Sequence, residues 1–114
     1  MSVLKKGRRK ITYDNQEYVW YVSQDDESDY YILHIISEDK QLILSVPLQV
    51  ATPYVISKGK VFQGQKTNGR WNRYLLPFAV PDVITPKSVA TIISWATKDS
   101  NAVKVEWDGK DIII

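Results

Sequence analysis

Apolar and polar positions alternate along most of this chain in short runs separated by turn chemistry, a pattern that predicts β-strands. Ile11–Tyr13 and Glu17–Ser23 flank Asp14-Asn15-Gln16, a tight turn in which Asn15 tolerates positive φ. In the second run Tyr18, Trp20 and Val22 share one face. Asp25–Asp29 reads as a solvated acidic loop. Tyr30–Ser37 is a nearly continuous apolar strand, with Tyr31, Leu33 and Ile35 on one face and Tyr30, Ile32, His34 and Ile36 on the other. Glu38-Asp39-Lys40-Gln41 turns the chain into Leu42–Val46. Apolar residues on both faces of these two strands predict that both faces are covered. Pro47 and Pro53 end regular pairing. Tyr54–Phe62 reads as a further strand, Gln63–Gly69 as a polar loop, and Arg70–Leu76 as extended chain up to the breaks at Pro77 and Pro81.

One segment switches to helical period. Thr85 is an N-cap and Pro86 occupies the first helical position, where its missing N–H costs nothing. Ile84 and Val89 have hydrophobic-staple spacing, and Val89, Ile92, Ile93 and Ala96 form a core-facing stripe. Lys98 suits the negative end of the helix dipole, and Trp95 flanks the stripe, a place at the rim of the core. Val103–Trp107 and Lys110–Ile114 flank Asp108-Gly109, the strongest hairpin signal in the chain. The sum is an α+β fold: a twisted, mainly antiparallel sheet of about six to eight short strands, one packed helix over 86–98 and a C-terminal hairpin. A basic N-terminal arm, residues 1–10, precedes a single domain, 11–114.

Composition narrows the class. The 114 residues suffice for one core, and the apolar and charged fractions, 44% and 25%, are those of an ordinary globular domain. The absence of cysteine excludes disulfides, thiolate catalysis and the common zinc and iron–sulfur sites, and agrees with a reducing compartment. The basic start runs into Ile11–Gln16 and not into an apolar stretch, so no signal peptide is expected. No apolar run approaches the ~20 residues of a membrane helix. A cytoplasmic location without membrane contact is expected.

Charge changes the picture more. Residues 1–10 hold five cations (Lys5, Lys6, Arg8, Arg9, Lys10) and no anion, whereas 11–39 hold eight anions and no Lys or Arg. Residues 40–81 hold six cations and no anion, and 82–114 carry four cations against five anions. A formal net charge of only +2 therefore hides strong local fields. Lys58, Lys60, Lys66, Arg70 and Arg73 share a strand–loop–strand unit with Trp71 and Tyr74. Cations neutralise phosphates and exposed rings stack bases, so these seven residues are a candidate surface for single-stranded nucleic acid or another polyanion. The competing reading is pairing with the acidic 11–39 block across the fold. Strand alternation also divides the set, because Arg70 and Tyr74 share a face while Trp71 and Arg73 point the other way.

No catalytic, metal or cofactor constellation is visible in the chain; a hydrolase using carboxylates alone is the third reading and requires two acids converging in a cleft. His34 is the sole histidine, and Glu38 on the same strand face lies ~13 Å away, out of hydrogen-bond reach. Asp25-Asp26-Glu27-Ser28-Asp29 begins like a calcium loop, but Tyr30 and Ile36 stand where Gly and Glu are required. Gly59-x4-Gly64-Gln65-Lys66-Thr67 misses the phosphate-loop pattern by the inserted Gln65, and no helix follows it. Ile112-Ile113-Ile114 needs pairing within the sheet or an interface with another subunit.

Tyr18-Val19-Trp20-Tyr21-Val22, Leu33-His34-Ile35-Ile36-Ser37-Glu38-Asp39-Lys40 and Pro53-Tyr54-Val55-Ile56 resemble a small bacterial family without an established activity. So do Lys58-Gly59-Lys60 and Ile84-Thr85-Pro86 ahead of the helix that holds Trp95. The resemblance covers about residues 8–97, transfers no site residue, and implies a bacterial, cytoplasmic, stand-alone domain. The expected function is a non-catalytic interaction module with a protein partner or a second copy of itself; the alternative is the polyanion surface.

Overall fold

Tight turns fix the register of the sheet. In a computed structural model, which describes residues 8–24, 31–48, 53–67, 72–80, 84–99 and 102–105, the first strands are β1 (Arg9–Tyr13) and β2 (Gln16–Gln24). They are joined by Asp14 and Asn15, both in the left-handed region at φ 53° and 65°, the geometry of a two-residue I′ hairpin turn. Next come β3 (Tyr31–Ser37) and β4 (Ile43–Pro47). Ser37 ties their connection: its Oγ donates to Asp39 Oδ1 at 2.6 Å and accepts from the Leu42 N–H at 3.0 Å. The same carboxylate oxygen accepts from the Gln41 N–H at 3.0 Å, and Lys40 takes φ 62°.

The remaining elements are β5 (Tyr54–Ser57), β6 (Val61–Phe62), β7 (Gln65–Lys66), β8 (Asn72–Leu75), helix α1 (Pro86–Lys98) and β9 (Val103–Val105). Seven strands form one antiparallel sheet in the order β1-β2-β3-β4-β5-β8-β9, and β6-β7 is a separate two-stranded hairpin. The α+β class, the antiparallel sheet and the helix over 86–98 are therefore as expected. The acidic loop Asp25–Asp29, the second arm of the C-terminal hairpin and its Asp108-Gly109 turn lie outside the described residues.

Four details differ from the sequence reading. The run Tyr54–Phe62 is broken, because the Gln41 carbonyl accepts from both Lys60 and Val61 N–H at 2.9 and 3.1 Å. Gly59 lies so close beneath that carbonyl that a Cβ would run into its oxygen and reach 2.9 Å from Ile43 N. The supposed loop after Phe62 is a hairpin, with Gln63 and Gly64 at φ 51° and 74°. Residues 9 and 10 of the basic arm belong to β1, the edge strand. Finally, Trp95 is in the core at 3% exposed, edge-on to Phe62 and Phe78, because the β6-β7 hairpin folds over it.

The helix lies on one face of the sheet only. Its Val89, Ile92, Ile93, Trp95 and Ala96 join Tyr18, Trp20, Leu33, Ile35, Leu44, Val46 and Val55 in the buried cluster. Thr85 caps it through the Ser88 N–H, and Gln63 closes its other end. There the Gln63 N–H donates to Ala96 O at 2.7 Å and its side-chain amide to Trp95 O at 3.0 Å, occupying carbonyls that the last turn leaves unpaired. On the other face Ile32, Ile36, Ile43 and Ile56 point away from the helix and are half-buried, beside the buried Ser45 and Tyr54.

Candidate functional site

Pairing register builds a lateral row across that second face. Tyr21 of β2 is opposite His34 of β3, His34 opposite Ser45 of β4, Ser45 opposite Ile56 of β5, and Ile56 opposite Arg73 of β8. Arg8, one residue before the Arg9–Trp20 pair, places its guanidinium 4.8 Å over the Tyr21 ring. The row thus carries a cation at Arg8 and another at Arg73, five strand spacings or ~24 Å apart, and runs on to Val105 of β9. The adjacent row is aliphatic, with Val19 opposite Ile36 and Ile36 opposite Ile43. Lys58 continues it, donating its N–H to Ile43 O at 2.8 Å.

His34 sits at the centre. Its Nε2 is 2.9 Å from Ser23 Oγ and its Nδ1 3.4 Å from Ser45 Oγ, so both ring nitrogens face a hydroxyl. Tyr21 stacks on it at 4.7 Å and 22°. Burial lowers the His34 pKa below its ordinary 6.5, and the nearby positive charges of Lys58 and Arg8 lower it further, which keeps the ring neutral at pH 7. Lys58 in turn is lowered by burial and by Arg73. A neutral imidazole beside a serine hydroxyl is the chemistry of a base and a nucleophile, but no carboxylate among the described residues orients this one. It is held instead as the middle of a stacked, hydroxyl-bonded sheet row. Sequence reading missed these partners because each lies eleven residues from His34 and only the strand register brings them together.

The seven residues of the candidate polyanion surface are divided by the fold. Lys58 and Arg73 lie on the open face. Tyr74 lies on the helix face, stacked on Phe62 at 4.1 Å and 9°, so its ring is not offered to a base. Burial raises its hydroxyl pKa. Lys60 and Lys66 are exposed at the β6-β7 hairpin, which packs against the helix side, and Arg70 and Trp71 lie outside the described residues. The cations that do accompany Lys58 and Arg73 on the open side come from the N-terminal block: Arg8 and Lys10 line a shallow depression with Lys40, Glu17, Glu38, Val19 and Ile36.

Lys98–Asp14 at 3.8 Å is the one ion pair found among the described residues, and both side chains are more than half exposed. Such a pair contributes at most about 1 kcal/mol. No group of three His, Asp or Glu side chains that could hold a metal occurs among the described residues. No helix there is long and apolar enough to cross a membrane. No protein-family model matches the chain, and no curated protein or solved structure matches it.

Proposed function

We propose that this chain is a non-catalytic interaction module of the bacterial cytoplasm that docks a protein on the open face of its sheet. The observation that carries this reading is the face itself: Val19, Ile32, Ile36, Ile43 and Ile56 stand there half-buried, around His34, Ser23 and Ser45. Contiguous apolar surface of this kind, rimmed by polar and charged groups, is the composition of a protein-binding patch. The cations on the same face favour a second reading, binding of single-stranded nucleic acid. Ring geometry weighs against it, because Tyr21 has His34 on one π-face and the Arg8 guanidinium on the other. A base would have to displace one of them to stack.

Site-specific photo-crosslinking tests the proposal. A photoreactive residue at Ile36, on the open face, is compared with one at Thr91, exposed on the helix. In extract of the source cells, discrete adducts from position 36 that are missing from position 91 are expected. Equal labelling from both positions, or adducts from position 91 alone, would overturn the assignment of the face.

A further inference from the structure

On the helix side of the sheet, the start of β2, the β3-β4 turn, the β6-β7 hairpin and the last turn of α1 leave a recess of about 170 Å³ between them. Leu42, Val61 and Ala96 give it apolar walls, and Gln16, Asp39 and Thr97 polar ones. Tyr18 completes the lining from β2. Its side chain shares the buried cluster with Leu42 and Ala96 and is only 5% exposed. A phenol buried to that extent ordinarily has its hydroxyl hydrogen-bonded. This hydroxyl has no partner among the described residues, and it is not sealed from solvent. It therefore offers the recess one O–H donor and its acceptor lone pairs.

The charge around that hydroxyl is negative. Asp39 gives its Oδ1 to the Ser37 hydroxyl and the Gln41 N–H, at 2.6 and 3.0 Å, and keeps Oδ2 for another donor. Asp39 and Asp14 both add to burial in raising the Tyr18 pKa. The helix brings its C-terminal end to the same place, where its dipole favours a cation. One ammonium is already drawn to this end: Lys98 Nζ lies 3.8 Å from Asp14 Oδ2 and 5.2 Å from the centre of the Tyr13 ring. Lys40, Lys60 and Lys66 are exposed on the flanking segments, but neither they nor Lys98 line the recess. We propose that the recess binds a primary alkylammonium group, which donates to Asp39 Oδ2 and Tyr18 Oη and lays its chain on Leu42, Val61 and Ala96. The volume admits an unbranched chain of about five heavy atoms, at ~30 Å³ for each water-sized group. A carboxylate or phosphate would instead set a second negative charge beside Asp39. The site is on the opposite side of the sheet from Ile36 and Ile56 and rests on no part of the docking reading.

The test titrates the full chain, labelled on backbone amides, with n-butylammonium, n-butanol and butyrate at equal ionic strength. Butylammonium should shift the amides of Tyr18, Leu42, Gly64 and Thr97, and the alcohol and the acid should each bind at least about tenfold more weakly. Tyr18→Phe removes only an unpaired hydroxyl, so it should fold as wild type does and bind the amine several-fold more weakly. Asp39→Asn keeps an oxygen for Ser37 and Gln41 but loses the charge, and should abolish the preference for amine over alcohol. Nα-acetyl-lysine amide carries the same group on a peptide backbone and separates two sources of it. Weaker binding than butylammonium assigns a free amine, and equal or tighter binding assigns a lysine of another protein. Equal binding of butylammonium and butanol, tighter binding of butyrate, or unchanged amine affinity in Tyr18→Phe would each overturn the proposal. So would the absence of any shift at these amides up to about 100 mM butylammonium.

Discussion

His34 owes its state to neighbours that are remote in sequence, and its titration should be visible in folding. Burial, Lys58 and Arg8 hold its folded pKa below the ordinary 6.5, so around that value the unfolded chain binds more protons than the folded one. Stability should therefore be unpenalised above the unfolded pKa and decline as pH falls below it. Urea denaturation at about pH 7.5 and pH 5.5 should show wild type losing stability on acidification, and His34→Gln losing clearly less. Asp39 titrates in a separate, lower window. The Ser37 hydroxyl and the Gln41 N–H hold its carboxyl below 3.8, so what it contributes is lost only as pH falls below that value. Gly59 makes a sharper point about local geometry, because a methyl group there meets the Gln41 carbonyl and not a movable side chain. Gly59→Ala should cost about 3 kcal/mol or more in the same denaturation experiment. Neither site was legible in the sequence. Ser23 and Ser45 become partners of His34 only through the register of two hairpins, and Gly59 is required by a backbone approach from a segment far along the chain.

Elements with self-contained signals could be read directly. Helix α1 begins where Thr85, Pro86 and the staple spacing of Ile84 with Val89 place it, and Lys98 lies in its last turn. The β1-β2 turn followed from Asp14-Asn15. The β6-β7 hairpin did not, since its Gln63-Gly64 turn is held by the helix end and its strands are only two residues long. Gln63→Ala should remove the side-chain bond to Trp95 O and the one accepted from the Ala102 N–H. A loss of about 1–2 kcal/mol is expected, with faster amide exchange in the last helical turn. The two sides of β3 should respond unequally to truncation. Ile35→Ala, under the helix and fully buried, should cost about 2–5 kcal/mol, whereas Ile36→Ala on the open side should cost about 1 kcal/mol or less. Comparable losses would mean that both sides are packed alike.

For the molecule as a whole, strand order redistributes charges that are segregated along the sequence. Within the 40–81 block, strand alternation sends Lys58 and Arg73 to the face away from the helix and Tyr74 to the helix face. Antiparallel order instead puts Arg8 and Lys10, from the first block, on the same side of the sheet as Lys58 and Arg73. The same cations sit at the β1 edge, where they discourage strand addition by another chain. The sheet has the helix on one side and half-buried aliphatic side chains on the other, the side for which docking is proposed. Isoleucine methyl groups report on that division directly. With δ-methyl labelling and a soluble paramagnetic agent, the methyls of Ile36, Ile43 and Ile56 should broaden strongly in dilute protein, while those of Ile35, Ile92 and Ile93 stay sharp. Equal protection of the two groups in the dilute chain would contradict the account, because the proposed docking face would already be covered.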